Sequence, residues 1–121
     1  VYGVWKYFTV WEEQMNLERE SYCLIGTLEA WNAMCQYFGR KKMIPVYIEV
    51  EDGTRLIRAV ERERTQEHPG YEELCRRFLA DAKDFSEENL KNAGITRRFE
   101  NKDMNACLEE IKLFIQKAIL I

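Results

Sequence analysis

The sequence is poor in the residues that most metal and nucleophile sites use. Its 121 residues include one histidine, His68, and four cysteines, none of which forms a CxxC pair: Cys23, Cys35, Cys75 and Cys107. The common zinc spacings are therefore excluded, and no serine or cysteine lies in a nucleophile motif. His68 is interpreted as a loop residue, because a general base needs an identified partner. Compartment rules predict reduced, mostly buried thiols.

The chain also lacks long apolar runs and an excess of positive charge. Its C-terminal segment IKLFIQKAILI is interrupted by lysines and is too short to span a bilayer, and the N-terminus has no signal-peptide pattern. Lys and Arg total 18 against 21 Asp and Glu, for a net charge of -3, which argues against general nucleic-acid binding. We expect a single cytoplasmic domain over residues 1–121, with no membrane or nucleic-acid partner. The start at Val1 rather than Met indicates a piece of a longer protein.

Periodicity and capping residues predict alternating strands and helices. Strands are expected at 4–10, 22–25 (buried), 43–50 and 95–100, with a turn over 11–21 and a further strand near 15–17. Helices are expected at 28–38, between Thr27 and Gly39, and at 52–63, 71–84, 86–93 and 103–118. This order predicts a three-layer α/β domain with a parallel sheet.

Residues 44–78 contain six arginines: Arg55, Arg58, Arg62, Arg64, Arg76 and Arg77. They lie on two predicted helices separated by Pro69-Gly70, and a guanidinium group matches phosphate oxygens in a bidentate manner. A mobile phosphate clamp is one interpretation. The other is a solvated face, because these arginines alternate with glutamates on amphipathic helices.

Carboxylates cluster where the strand 43–50 ends. Glu49, Glu51 and Asp52 lie at the C-terminal end of that strand, which is where ligands bind in open α/β sheets. They could assist a metal ion, and Asp52 alternatively serves as the N-cap of the following helix.

The order of several short motifs resembles the C-terminal two-thirds of the guanylate kinase family. The motifs are Tyr2-Gly3, the strand VYIEV at 46–50, Arg62-x-Arg64 before a loop with Glu67, Arg76-Arg77-Phe78, Asn101-x-Asp103 and the helical LEEI at 108–111. The resemblance covers nearly the whole chain. It implies a P-loop nucleoside-monophosphate kinase fold, incomplete at its N-terminus, with a helical lid at about 62–77 that closes over ATP.

The resemblance also implies roles for individual residues. Arg64 and Arg77 would be catalytic lid arginines that reach the transferring phosphates, with Arg76 as the alternative to Arg77 and a candidate ATP-binding residue. Tyr2 would bind the phosphate of the acceptor nucleotide, and Asn101 would lie close to the adenine of ATP. The implied substrates are ATP and a GMP-like nucleoside monophosphate, and the implied cofactor is Mg²⁺.

Two features of the family are missing from these 121 residues. There is no GxxxxGK[ST] phosphate loop, nor the Ser- and Arg-containing stretch that grips the acceptor phosphate, and both are expected upstream of Val1. In addition, Ile25-Gly26-Thr27 stands where the family has two aspartates. The leading hypothesis is thus a guanylate-kinase-like enzyme in the intact protein, and the alternative is an inactive protein-interaction module of the same family.

Overall fold

The structure, a computed structural model, describes residues 15–119. The chain forms two compact units, residues 1–43 and residues 44–121, which are described separately. The predicted strand at 4–10 and the candidate residue Tyr2 lie outside the described residues. The single domain over 1–121 stays a prediction.

In the first unit, helix α1 spans Leu28–Phe38, as predicted from its capping residues. Thr27 Oγ1 accepts a hydrogen bond from Ala30 N at 3.1 Å. At the other end, Gly39 adopts a φ of 89° while its N–H donates to Cys35 O at 2.9 Å. This positive φ favours glycine over residues with a Cβ atom. Leu28 and Trp31 are buried, and a 3₁₀ turn, Arg40–Lys42, follows.

The predicted buried strand at 22–25 is wrong. No strand forms there, Cys23 is exposed, and the exposed fractions of Leu24 and Ile25 are 52% and 102%. The segment at 15–17 is not a strand either; instead a turn covers residues 17–19, with Glu20 N donating to Asn16 O at 3.0 Å. A short apolar run becomes a strand only where a neighbouring strand pairs with it, and no described residue pairs with this one.

The second unit contains two short parallel strands, β1 at Tyr47–Glu49 and β2 at Arg98–Glu100. Ile48 is opposite Phe99 in the register, and Asn101 N donates to Glu49 O at 2.8 Å just beyond β2. Both strands lie inside the longer predicted ones. The mixed α/β class and the parallel pairing are confirmed, whereas the three-layer P-loop architecture stays a prediction.

Four helices complete this unit, each close to its predicted position. They are α2 at Asp52–Arg64, α3 at Tyr71–Asp84, α4 at Glu87–Asn92 and α5 at Met104–Ile119. Helices α2 and α3 contact each other across the turn 65–70, and we call this pair the α2–α3 hairpin. Because α2 begins three residues after β1, the hairpin starts directly at the C-terminal end of that strand.

The core of the second unit surrounds β2. Phe99 is fully buried (0% exposed) and Leu90 nearly so (1%), while Leu74, Ile95 and Cys107 are also buried. The Phe99 ring meets the Phe114 ring of α5 edge to face, with centroids 5.2 Å apart. Packing of this kind fixes β2 against α5.

The apolar spacing of the helices at 52–63 and 71–84 predicts that Ile57 and Leu79 point inward. Both are exposed instead, at 60% and 69%, so their assignment to the core is wrong. The two strands have only three residues each, and so small a sheet cannot cover the full apolar stripes of α2 and α3. Over residues 15–119, none of the helices has the length and apolar character needed to cross a membrane.

Candidate functional site

A cavity of about 490 Å³ lies at the C-terminal ends of β1 and β2, beside the start of α2. It is lined by Val50, Glu51, Thr54, Arg58, Glu100, Asn101 and Lys102. Parallel strands that end beside a helix start commonly form ligand sites. Two cationic and two anionic side chains face it, so the cavity has a mixed charge.

Glu51, not the predicted Asp52, is the N-cap of α2. Its Oε1 accepts from Gly53 N at 2.8 Å, and its Oε2 accepts from Thr54 N at 2.8 Å and Thr54 Oγ1 at 3.0 Å. Those hydrogen bonds, led by that from Gly53, lower the pKa of the Glu51 carboxyl. A Cβ at Gly53 would lie 3.1 Å from Oε1, so glycine leaves room for the cap. The anion position at this helix start is therefore filled by the chain's own carboxylate.

We expect Glu51→Gln to lower the melting temperature near pH 7, because the substitution removes a charged acceptor from the helix start. A carboxyl with a lowered pKa stabilises the fold above its unfolded pKa of about 4.3 and loses that contribution as the pH falls through the folded pKa. The melting difference between Glu51→Gln and the unsubstituted protein should therefore shrink below about pH 4. Thermal unfolding followed by circular dichroism between pH 3 and pH 7 measures this.

Glu61→Gln is the matched control, since Glu61 is exposed on the same helix and has no side-chain partner within residues 15–119. The melting temperature of Glu61→Gln should differ little from that of the unsubstituted protein at every pH. If the melting temperature of Glu51→Gln differs from that of the unsubstituted protein by the same amount from pH 3 to pH 7, the capping role of the Glu51 carboxylate is contradicted.

Arg58 of α2 reaches the loop that follows β2. Its Nη1 donates to Asn101 O at 3.0 Å and its Nη2 donates to Lys102 O at 3.0 Å. Asn101 Oδ1 is buried and accepts no hydrogen bond from the described residues. A buried acceptor without a donor is costly, and Asn101 is one of the residues that line the cavity.

A second polar cluster joins both strands to α4. Arg98 Nη1 lies 2.8 Å from Glu49 Oε2 and 2.8 Å from Glu87 Oε1. The hydrogen bonds with Glu87 and then Glu49 raise the pKa of Arg98, and the same contact lowers the pKa of Glu87. The neighbouring Tyr47 ring stacks on Phe85 with centroids 5.8 Å apart. Burial, followed by the charge of Glu49, raises the pKa of the Tyr47 hydroxyl. This cluster serves the structure, since its charges are paired with one another.

The three carboxylates at the end of β1 already have partners. Glu49 pairs with Arg98, Glu51 caps α2, and Asp52 Oδ1 lies 3.4 Å from Arg55 Nη2. In the part of the chain that the structure describes, no three His, Cys, Asp or Glu side chains are grouped to hold a metal ion. These residues therefore do not by themselves form a magnesium site, and the Mg²⁺ implied by the resemblance stays a prediction.

The predicted arginine cluster divides into paired and unpaired members. Arg55 packs 3.9 Å from the centroid of the Phe78 ring, and Arg76 forms hydrogen bonds with Glu73, one of them from Nε at 2.9 Å. Arg77 Nη2 lies 4.0 Å from Glu63 Oε2. In contrast, the side chains of Arg62 and Arg64 have no hydrogen-bond or ion-pair partner over residues 15–119.

The candidate residues are thus distributed over two places. Arg64, Arg76 and Arg77 belong to the α2–α3 hairpin and are exposed, and they do not line the cavity described above. Asn101 does line it. The hairpin starts beside the cavity, so closure of the hairpin would be required to bring its arginines to a ligand near Asn101.

The sequence did not reveal the contacts of Arg58 and Arg98. Arg58 was predicted only as one of the six arginines in residues 44–78, and no role was predicted for Arg98. The two carbonyls that Arg58 binds and the Glu49 partner of Arg98 lie 43 to 49 residues away in the chain, and no local spacing encodes such pairs. His68 is exposed in the turn between α2 and α3, as expected. The prediction of buried thiols is confirmed for Cys107 and is wrong for Cys23 and Cys75, which are exposed.

Comparison of the chain with protein-family models, with curated proteins and with solved structures found no match.

Proposed function

We propose that the intact protein transfers the terminal phosphate of ATP, taken as its Mg²⁺ complex, to a nucleoside monophosphate of the GMP type. The observation that carries this proposal is the Arg64 guanidinium group at the end of α2, which is exposed and has no partner over residues 15–119. It lies on a helical hairpin that starts at the C-terminal end of a parallel strand. The resemblance to guanylate kinases supports the same assignment. The phosphate-binding GxxxxGK[ST] loop would be supplied by a part of the protein outside these 121 residues.

The reaction suits a protein that offers positioned charge and little covalent chemistry. Phosphoryl transfer is accelerated mainly by alignment of the reactants and by stabilisation of charge on the transferring group. In this proposal Arg64 and Arg77 contact the transferring phosphates when the hairpin closes, and closure also excludes water. Arg77 is only loosely held by Glu63 at 4.0 Å, so moving it toward phosphate costs little. Arg76 would first have to leave Glu73.

Two further residues are proposed to bind the two nucleotides. Asn101, with its unpaired buried oxygen, would lie on the adenine side of ATP, and Tyr2 would contact the phosphate of the acceptor. We also propose that this reaction takes place in the cytoplasm.

The proposal is tested by measuring ADP formation by the full-length protein with ATP, Mg²⁺ and GMP, alongside calorimetric titration with ATP and GMP. We expect turnover that depends on both nucleotides and micromolar binding. Replacement of GMP by AMP, CMP and UMP identifies the acceptor class. Neither turnover nor binding heat with any of these nucleotides would overturn the proposal.

A second candidate is the catalytically inactive interaction module. The observation in its favour is an apolar row along and before β1: Ile44, Val46 and Ile48 are 45%, 36% and 49% exposed. Exposed apolar rows of this kind are common at protein-binding surfaces. Absence of nucleotide binding in the same titrations would favour this module over the enzyme.

A further inference from the structure

Arg58 ties the base of the α2–α3 hairpin to the loop that carries Asn101. Its two terminal nitrogens donate to consecutive main-chain carbonyls, Asn101 O and Lys102 O, each at 3.0 Å. Both acceptors lie more than forty residues away in the chain. Because a guanidinium group is planar and always charged, it holds two neighbouring carbonyls in a fixed relative orientation that an ammonium group cannot reproduce.

The loop is held on its other sides as well. Asn101 N donates to Glu49 O at 2.8 Å and so continues the pairing of β2 with β1. Asp103 Oδ2 accepts from Ala106 N at 2.9 Å at the start of α5. Between these two anchors, the carbonyls of Asn101 and Lys102 are oriented by Arg58. The side chain of Asn101, whose Oδ1 is buried and has no hydrogen-bond partner among the described residues, starts from this same main-chain segment.

Arg58 also belongs to the helix that leads to Arg64. The two residues are six positions apart on α2, which corresponds to roughly 9 Å along the helix axis. Arg58 therefore lies in the middle of α2, whereas Arg64 is the last residue of that helix.

We propose that Arg58 is a positioning residue for the ATP site: it orients the loop that carries Asn101. This inference rests on the proposed function, in which Asn101 lies beside the base of ATP. Arg58 acts through the loop and does not touch the transferring phosphate. Its loss should therefore weaken ATP binding and base selection more than the chemical step.

The test compares Arg58→Gln and Arg58→Lys with the unsubstituted full-length protein. For Arg58→Gln we expect the KM for ATP to rise roughly tenfold, the size of effect typical of one hydrogen bond to a charged group. Turnover at saturating ATP should change by less than about threefold. The preference for ATP over GTP as phosphate donor should fall, and Arg58→Lys should restore part of it by contacting one of the two carbonyls.

Arg19→Gln is the charge-matched control, because Arg19 is exposed and its side chain has no partner within residues 15–119. It should leave KM, turnover and donor preference unchanged. Hydrogen exchange of the amides at 102–107, measured without nucleotide, adds a readout that does not depend on catalysis. We expect faster exchange in Arg58→Gln because the loop loses an anchor.

The possible failures are distinguishable. Unchanged KM and donor preference in Arg58→Gln, with an active unsubstituted protein, would overturn the role of Arg58 alone. Unchanged amide exchange would overturn the anchoring itself. Absence of ATP turnover in the unsubstituted protein would overturn the proposed function, and the kinetic role of Arg58 with it.

Discussion

Arg64→Ala is expected to lower turnover by a factor of about 10³ or more, the effect of removing an arginine that stabilises charge on a transferring phosphate. Its KM values should change less, since such an arginine contributes mainly in the transition state. Folding should be unaffected, because the Arg64 side chain is exposed and has no partner in the described part of the chain, and alanine favours helix. Steady-state kinetics of the full-length protein, with circular dichroism to verify the fold, provide the measurement.

Lys83→Ala is the matched control for this experiment. Lys83 is exposed in the last turn of α3, and its side chain has no partner over residues 15–119. The substitution also removes one positive charge from the hairpin, so unchanged turnover there would exclude a general charge effect. Arg64→Lys keeps the charge without the bidentate geometry and should recover only part of the rate. Full turnover in Arg64→Ala would remove Arg64 from the catalytic assignment.

Phe99→Ala is expected to reduce the free energy of unfolding by about 3–5 kcal/mol, as is typical for a large aromatic side chain in a core. Phe99 is fully buried, and its ring packs on Phe114 at 5.2 Å. The same substitution weakens the β1–β2 pair, because Phe99 is the central residue of β2. Equilibrium unfolding in urea gives the change.

The comparison requires one milder variant and one control. Phe99→Leu leaves a smaller cavity and should cost less than Phe99→Ala, so it gives a measurable value if the alanine variant does not fold. Leu79→Ala, at a side chain that is 69% exposed, should change stability by no more than about 0.5 kcal/mol. A cost at Phe99 as small as that at Leu79 would show that β2 is not part of the core.

The helices could be predicted from the sequence because their signals are local. Thr27, Gly39 and Ser86 lie within a few residues of the ends that they define, and the apolar spacing of each helix is contained in the helix itself. The strand at 47–49 was found for the same reason. Its parallel partner was inferred from element order, since a connection through helices favours parallel pairing.

The errors arose where the outcome depends on distant partners. The apolar residues at 22–25 have the composition of a strand but no paired neighbour among the described residues. Ile57 and Leu79 have the periodicity of core residues, yet the short sheet cannot cover them. One error was local: Asp52 is a suitable cap by residue type, but the Glu51 carboxylate is the one that binds the first free amides of α2, those of Gly53 and Thr54.

The arginine cluster shows how far residue type alone can support a functional assignment. Sequence spacing could not separate arginines that bind within the chain from arginines that remain available to a ligand. The structure separates them: Arg55 and Arg58 have definite partners, whereas Arg62 and Arg64 have none over residues 15–119. Of the two arginines in the catalytic hypothesis, Arg77 lies 4.0 Å from Glu63, and Arg64 has no partner among these residues.

The turn of the α2–α3 hairpin is closed by a single acidic side chain. Glu63 Oε1 accepts from Gly70 N at 2.9 Å, and the other oxygen of the same carboxylate faces Arg77. Nearer its base, the hairpin is cross-linked again by Arg55 on the Phe78 ring. With contacts at both ends, the two helices are held against spreading, and a swing of the hairpin would pivot where α2 leaves β1 and where α3 meets Phe85. The main chain at Arg64 and Arg77 would then move as one body, while the two exposed side chains adjust to the oxygens that they contact.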